Sequence, residues 1–204
     1  SQVTKGFGAK LKAVRKVEND DQFDWTDAWR LSPSSVAYVW HGGKFAGEVS
    51  QNLRDAEFEI RSQIIWAKPS LTFGRGHYHW KHEPCWYCVK KGKKGNWTGD
   101  RKQTTVWEIA GLNPAGRSND DLDETLGHST QKPVECMARP MRNHGGDVYD
   151  PFHGSGTTMV AAHQNNKRCF AIDIDPVNCQ MTIDRMIKLD PDIIIKVNGN
   201  DYEQ

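Results

Sequence analysis

The residues best suited to chemistry lie in one stretch, Val148-Tyr149-Asp150-Pro151-Phe152-His153-Gly154-Ser155-Gly156-Thr157-Thr158. Gly154 and Gly156 lack a Cβ, so the backbone bends sharply there and a ligand can lie directly against it. Thr157 and Thr158 follow with hydroxyls that bond either to the free amides of a helix start or to that ligand. A carboxylate, Asp173, stands just past the next apolar run, Arg168-Cys169-Phe170-Ala171-Ile172. Acid and glycine turn together suit a nucleoside: the turn gives close backbone approach, and the acid accepts two hydrogen bonds from ribose hydroxyls.

Positioning these groups takes a strand, a turn, a helix and a second strand. Val148 to Asp150 reads as a short buried strand, Met159 to Ala162 continue the helix that opens at Thr157, and Asn165-Asn166-Lys167 turn the chain into the second strand. A right-handed crossover sets the strands in parallel and brings Asp173 out beside the turn. The dinucleotide fingerprint G-x-G-x-x-G is excluded, because Met159 stands where its third glycine is required.

Asp-Pro-Phe-x-Gly-Ser-Gly-Thr-Thr resembles the cofactor motif of S-adenosylmethionine-dependent DNA amino-methyltransferases, the N6-adenine and N4-cytosine family. His128-Ser129-Thr130-Gln131-Lys132-Pro133 is similar to the His-Pro-Thr-Gln-Lys-Pro segment that precedes the motif in one subgroup, with Ser129 in place of a proline. The aromatic-basic stretch comes first, Thr-Gln-Lys-Pro next and the glycine motif last, which is the order of the β-type members. The resemblance runs from about residue 19 to residue 185 and takes in Val39-Trp40-His41-Gly42, Ile65-Trp66-Ala67-Lys68-Pro69 and His82-Glu83-Pro84. It implies an α/β, Rossmann-like methyltransferase fold, with a mostly parallel sheet, helices on both faces and rearranged motif order. It also implies S-adenosylmethionine as cofactor, held by Thr130, Lys132, Asp150, Phe152, Gly154, Ser155, Gly156, Thr157, Asp173 and Ile174. Thr130 and Lys132 face its carboxylate, and Ile174 packs on its adenine ring. Without the resemblance, Lys132 reads as well as an exposed lysine at a capped helix start.

The same family carries Asp-Pro-Pro-Tyr or Ser-Pro-Pro-Tyr at a strand end. There an acid and a proline carbonyl accept the two hydrogens of an exocyclic amine, localising its lone pair, while the aromatic ring stacks on a flipped base. No such tetrapeptide occurs in residues 1–204. Family order sets it a few residues before Ser1, so the catalytic residues stay unassigned.

A chain of 204 residues with 37% hydrophobic content suits a single domain, here a methyltransferase domain over 1–204 with 70–127 as a candidate DNA-recognition insertion. The net charge of +1 rules out overall basicity as an argument for nucleic acid, although Lys5, Lys10, Lys12, Arg15 and Lys16 form one basic run and Lys90, Lys91, Lys93, Lys94, Arg101 and Lys102 another. Five cysteines without secretory context argue for reduced thiols. His77, His79 and His82 precede Cys85-Trp86-Tyr87-Cys88 as if for a metal, but in a strand positions three apart face opposite ways, so no metal site is expected. No apolar run has membrane-spanning length and no signal-peptide core opens the chain, so the expectation is an intracellular, cytoplasmic protein, bacterial or phage-encoded, without a membrane partner.

Along the chain, residues 1–23 read as a mobile arm or loop. A helix is expected from Asp24 to near Pro33, with Trp25, Ala28, Trp29 and Leu31 on its buried side. Val36 to Trp40 reads as a buried strand ending at His41, which is a candidate for the site rim or a simple turn histidine. A helix over Lys44 to Asp55 and a strand over Phe58 to Ala67 follow, the strand stopped by Lys68-Pro69. Ser70 to Trp80 then reads as a loop, whose Arg75, His77, His79 and Trp80, with Lys90 and Lys91 beyond, suit stacking on bases and gripping phosphate, or else packing as an ordinary surface loop. Strands over His82 to Val89 and Gln103 to Ile109, an acidic segment over 110–126, and helices after Pro133 and Asp175 complete the core. A last strand over Asp192 to Val197 and a frayed tail from Gly199 close the chain.

The function expected from all this is methyl transfer from S-adenosylmethionine to an exocyclic amine of double-stranded DNA, with adenine N6 favoured over cytosine N4. The alternatives are an inactive module that binds cofactor and DNA, and methylation of RNA or a small molecule on the same fold. Oligomeric state is open.

Overall fold

The computed structural model describes residues 24–72, 76–111 and 131–203, so the expectations placed on residues 1–23, Arg75, most of the acidic segment and Thr130 lie outside the described residues. In chain order the elements are α1 (Thr26–Leu31), β1 (Val36–Trp40), a single 3-10 turn (Gly43–Phe45), α2 (Ala46–Asp55), β2 (Phe58–Thr72), β3 (Trp80–Lys90), β4 (Val106–Glu108), α3 (Val134–Asn143), β5 (Val148–Asp150), α4 (Thr157–Gln164), β6 (Cys169–Ala171), α5 (Pro176–Leu189), β7 (Lys196–Val197) and β8 (Asn200–Asp201). No helix among the described residues is long and apolar enough to cross a membrane.

Four strands form a mixed sheet in the order β1-β3-β2-β4, and β5 and β6 form a separate parallel pair. A mostly parallel sheet was the expectation; in the larger sheet β1–β3 and β2–β3 are antiparallel and β2–β4 is parallel. The reason is connection length. β2 ends at Thr72 and β3 begins at Trp80, too short a link for the crossover of a dozen or more residues that parallel neighbours need. The α/β class stands, since β5, α4 and β6 form the strand-helix-strand unit foreseen, with Val148 opposite Cys169 and Asp150 opposite Ala171.

Three apolar clusters hold the layers together. Val134, Ala138, Met141, Val160, Ala161 and Met186 join α3, α4 and α5 beneath the β5–β6 pair. Ile64, Trp66, Cys85, Trp107 and Cys136 fill one face of the larger sheet, and Val39, Leu53, Phe58 and Cys88 fill the other under α2. Cys85 and Cys88 therefore point to opposite faces, as strand alternation dictates. Burial pushes the Cys88 thiol up to about 12 and also raises the Cys85 thiol well above its usual range. All five cysteines are unbonded. Among the described residues no three His, Cys, Asp or Glu side chains gather as a metal site.

Several local expectations are corrected. β2 does not stop at Lys68-Pro69 but runs on to Thr72, with a register shift between Ala67 and Thr72. Proline has no N–H to give a ladder, and the irregular stretch is where a strand tolerates one. Helix α1 has no buried residue and Leu31 is 81% exposed. The segment Ile193 to Ile195 is not a strand; the final pairing is a β7–β8 hairpin across Asn198-Gly199, both with positive φ, in place of a frayed tail. β1 and β5 read as buried strands, yet most of their residues are only half-buried. Each ends its own sheet, and both border the cleft described next.

Candidate functional site

A cleft of about 770 Å³ separates the two sheets, lined by Tyr38 and Trp40 of β1, Lys132 and Met137 at α3, and Asp150 and Phe152 after β5. That volume falls within the usual range for small-molecule sites, roughly 300–1,000 Å³. Within it the Tyr38 hydroxyl lies 2.8 Å from His144 Nε2, and His144 Nδ1 lies 2.6 Å from the Gly95 carbonyl. A carbonyl only accepts, so Nδ1 carries the proton and the phenol donates to Nε2. Burial lowers the His144 imidazole from its ordinary value and raises the Tyr38 phenol.

The glycine turn sits at the carboxyl end of β5. Gly154 (φ 52°) and Gly156 (φ 75°) both occupy the left-handed region, which side chains disfavour. A Cβ at Gly154 would meet nothing within 4 Å among the described residues, which leave this side of the turn open. Asp150 Oδ1 accepts from the Phe152 N–H at 3.0 Å and tightens the bend. Phe152 is 46% exposed, its ring edge-on to Trp25 and Trp29 with centroids 4.6 and 5.7 Å away. Asp173 lies next to the turn: its Oδ2 accepts from Gly154 N–H at 2.9 Å. Its Oδ1 accepts from Asp175 N–H and Asn178 Nδ2–H at 2.9 and 3.0 Å. A carboxylate offers about four acceptor positions. Three are used inside the protein, so Asp173 has room for one ligand hydroxyl at Oδ2, not the two foreseen.

Ser155 is buried, with its carbonyl accepting from Arg185 Nη1 at 3.0 Å. Thr157 is 6% exposed and its hydroxyl has no hydrogen-bond partner. A buried unpaired hydroxyl is costly. Among the described residues this leaves an orphaned hydroxyl at the start of α4, directly after the glycine turn, and a polar nucleoside-bearing cofactor could supply its partner, so the residues present fit one. Ile174 is 69% exposed, available as an apolar wall.

Lys132 is not a free ammonium. It lies 3.1 Å from Glu83 Oε2, while Lys68 pairs with Oε1 of the same carboxylate. The Lys132 ammonium also lies 5.7 Å from the centroid of the Trp40 ring. Two ammoniums on one carboxylate leave a net positive charge at the cleft, suited to an anion. Burial works against ionisation of Glu83, but the charge of Lys132 and the hydrogen bonds from both lysines outweigh it and lower its pKa. Because the folded-state value is the lower one, the stabilisation is complete above the ordinary glutamate range and disappears as pH falls through the lowered value. Glu83→Gln is expected to cost about 1–2 kcal/mol at neutral pH in urea denaturation. The gap between variant and parent should close in acid; a gap independent of pH would count against the carboxylate as its source.

The residues assigned to DNA are not brought together. His77, His79 and Trp80 are exposed at the β2–β3 tip, with Tyr78 94% exposed between them. The Trp80 indole is partly engaged: a Cβ at Gly43 would lie 2.5 Å from its ring. Lys90 and Lys91 lie at the far end of β3, ~34 Å away at 3.4 Å per residue. Lys91 is exposed. Lys90 is committed to the fold, its ammonium donating to the Ser32 carbonyl at 3.2 Å and lying over the Phe58 ring. His41 follows β1, stacked on Trp86 with ring centroids 5.4 Å apart, and is absent from the lining of the cleft.

Glu83 and Lys68 escaped assignment at the level of sequence, as did Asn178, Thr182 and Arg185 of α5. The first two lie in stretches already noticed for their resemblance. The α5 residues carried only a helical spacing.

Residues 5–184 match the family model described as DNA methylase. The chain is 25% identical over 199 residues to the Type II methyltransferase M.HinfI of Haemophilus influenzae, covering 88% of this chain and 52% of that protein. It is 29% identical over 157 residues to the Type II methyltransferase M2.MboI of Moraxella bovis, covering 68% of this chain and 54% of that protein. The chain thus spans about half the length of these curated relatives. Among solved structures it resembles the M1.HpyAVI–SAM complex, with a TM-score of 0.64 and 20% identity over 80% of this chain and 82% of that one. It also resembles TTHA0409 of Thermus thermophilus, with a TM-score of 0.56 and 20% identity over 82% of this chain and 76% of that one. At that identity the likeness is one of fold.

Proposed function

This chain belongs to the DNA methylase family, and on that footing we propose that it binds S-adenosylmethionine against the glycine turn, at the edge of the cleft lined by Lys132, Asp150 and Phe152, and serves methyl transfer to an exocyclic amine of double-stranded DNA, adenine N6 in preference to cytosine N4. The observation that carries the reading is the pairing of Gly154 N–H with Asp173 at 2.9 Å, which joins an open glycine turn to an acid with one acceptor position left. Bound there, the cofactor supplies a methyl group on a sulfonium, an electrophile needing no metal.

The chain's own residues bind and orient. Asp173 accepts a ribose hydroxyl, Phe152 and Ile174 wall the adenine ring, and the hydroxyl of Thr157 gains the partner it lacks. Lys132, steadied by Glu83, faces the carboxylate of the methionine end, joined by Thr130. Gly154, Ser155 and Gly156 set the backbone close enough for contact, and Asp150 holds the bend. For DNA, the exposed His77, Tyr78, His79 and Trp80 offer rings to stack on bases, and Arg75 and Lys91 neutralise phosphate. No residue of the chain is assigned the role of accepting the amine's protons.

The test is incubation of the protein with duplex DNA and methyl-labelled S-adenosylmethionine, followed by nucleoside analysis. Label on N6-methyladenine is expected. Label only on N4-methylcytosine would move the base preference, and binding of cofactor and DNA without label would identify a non-catalytic binding module.

A further inference from the structure

Helix α5 grips the glycine turn with one face. Asn178 Nδ2 donates to Asp173 Oδ1 at 3.0 Å, Thr182 Oγ1 lies 3.3 Å from His153 Nδ1 and 3.4 Å from the Gly154 carbonyl, and Arg185 Nη1 donates to the Ser155 carbonyl at 3.0 Å. Positions 178, 182 and 185 recur at helical spacing, so they share one side. The donors and acceptors around Thr182 leave one arrangement in which all are satisfied. The Gly154 carbonyl only accepts, so the hydroxyl donates to it and accepts from Nδ1–H of His153. His153 Nε2 then faces Cys179 Sγ at 3.8 Å. Thr182 is 2% exposed and His153 8%, so neither has water to substitute for the other. The methyl of Thr182 also closes the turn from below, 2.6 Å from where a Cβ at Gly156 would stand.

Among the described residues the opposite side of the turn is bare, since none lies within 4 Å of a Cβ built at Gly154. Thr182 therefore reaches a ligand on the open side of the turn only through the turn. We propose that Thr182 is a positioning residue for the cofactor: through His153 and the Gly154 carbonyl it sets the backbone against which the nucleoside lies. The proposal deepens the cofactor reading above and rests on it. The helix that follows the acid thereby does two jobs, since Asn178 orients Asp173 while Thr182 shapes the turn.

Thr182→Val keeps the shape and removes the hydroxyl; Thr182→Ser keeps the hydroxyl. Calorimetric titration with S-adenosylmethionine is expected to show about tenfold weaker binding by the valine variant, the worth of one hydrogen bond. The serine variant should bind within about twofold of the parent, and duplex DNA affinity should be the same for all three. A valine variant that binds cofactor as tightly as the parent overturns the proposal, as does a serine variant as weak as the valine one. Equal losses for cofactor and DNA would also overturn it, because they mark general damage. Amide hydrogen exchange at Gly154 and Gly156 reads the turn without ligand. Faster exchange in the valine variant alone, with β5 and β6 unchanged, supports the positioning role, and unchanged exchange rejects it even if the parent binds no cofactor. Failure of the parent to bind, by contrast, would overturn the cofactor reading and leave this exchange result standing by itself.

Discussion

Replacing Asp173 with alanine is expected to weaken S-adenosylmethionine binding by about 2–4 kcal/mol, roughly 30- to 1,000-fold in the dissociation constant. The carboxylate accepts three hydrogen bonds, from Gly154 N–H, Asp175 N–H and Asn178 Nδ2–H. Hydrogen bonds to charged groups contribute about 1.5–3 kcal/mol each. Alanine takes away the fourth acceptor position, offered to the ribose, and frees the Gly154 amide that shapes the turn. Asp173→Asn keeps the bonds to Oδ1 and removes both functions of Oδ2. Its carbonyl oxygen can still accept from Asp175 and Asn178, but its amide then presents hydrogens to the Gly154 N–H. The asparagine variant should therefore be more stable than the alanine one, which keeps none of the three bonds, and still bind weakly. Calorimetry with the three proteins checks this, and an alanine variant of parental affinity would remove Asp173 from the site.

The second large effect separates two glycines of the same turn. Gly156→Ala is expected to destabilise the fold by about 2–5 kcal/mol, from left-handed strain and overpacking together. Its backbone is at φ 75°, and the new Cβ would lie 2.6 Å from Thr182 Cγ2 and 2.7 Å from Thr182 Oγ1. Thr182 is fully enclosed on a packed helix and has nowhere to go. Gly154→Ala also places a side chain at positive φ, but in open space. Its stability cost is the strain alone, about 1–2 kcal/mol, while its methyl group enters the cofactor's space. In urea denaturation Gly156→Ala should be the more damaging, and in cofactor titration Gly154→Ala should lose affinity out of proportion to its stability. The reverse ranking would place the ligand on the α5 side of the turn.

These contrasts follow from a site built in two ways. One part is local: β5, turn, α4, β6 and Asp173 lie within residues 148–173, and Gly154 meets Asp173 through a bond made inside that span, with α5 supporting both from just beyond it. The other part is assembled from afar. Lys132 meets Glu83 and Lys68 only because the start of α3 packs beside the facing strands β2 and β3, and that contact converts an expected free cation into one member of a charged triad. The residues proposed for DNA divide similarly. The aromatic tip and Lys91 are exposed, whereas Lys90, equivalent to its neighbour by residue type, spends its charge on Ser32.

What the sequence determined by itself was therefore the unit whose contacts are short in chain separation. Glycine spacing, the apolar runs and the acid after the second strand were sufficient to place Gly154 beside Asp173, because a right-handed crossover leaves the chain no other economical course. Tertiary structure alone decided which side of each element faces what. β2 passes Pro69 because an irregular stretch accommodates a residue without an N–H, and Leu31 is exposed because no described residue packs over that side of α1. Thr182 meets the turn because α5 docks under it. Hydrogen bonds and burial between distant segments depend on how helices and sheets pack, and the residue pattern within either segment carries too little of that geometry to reveal it.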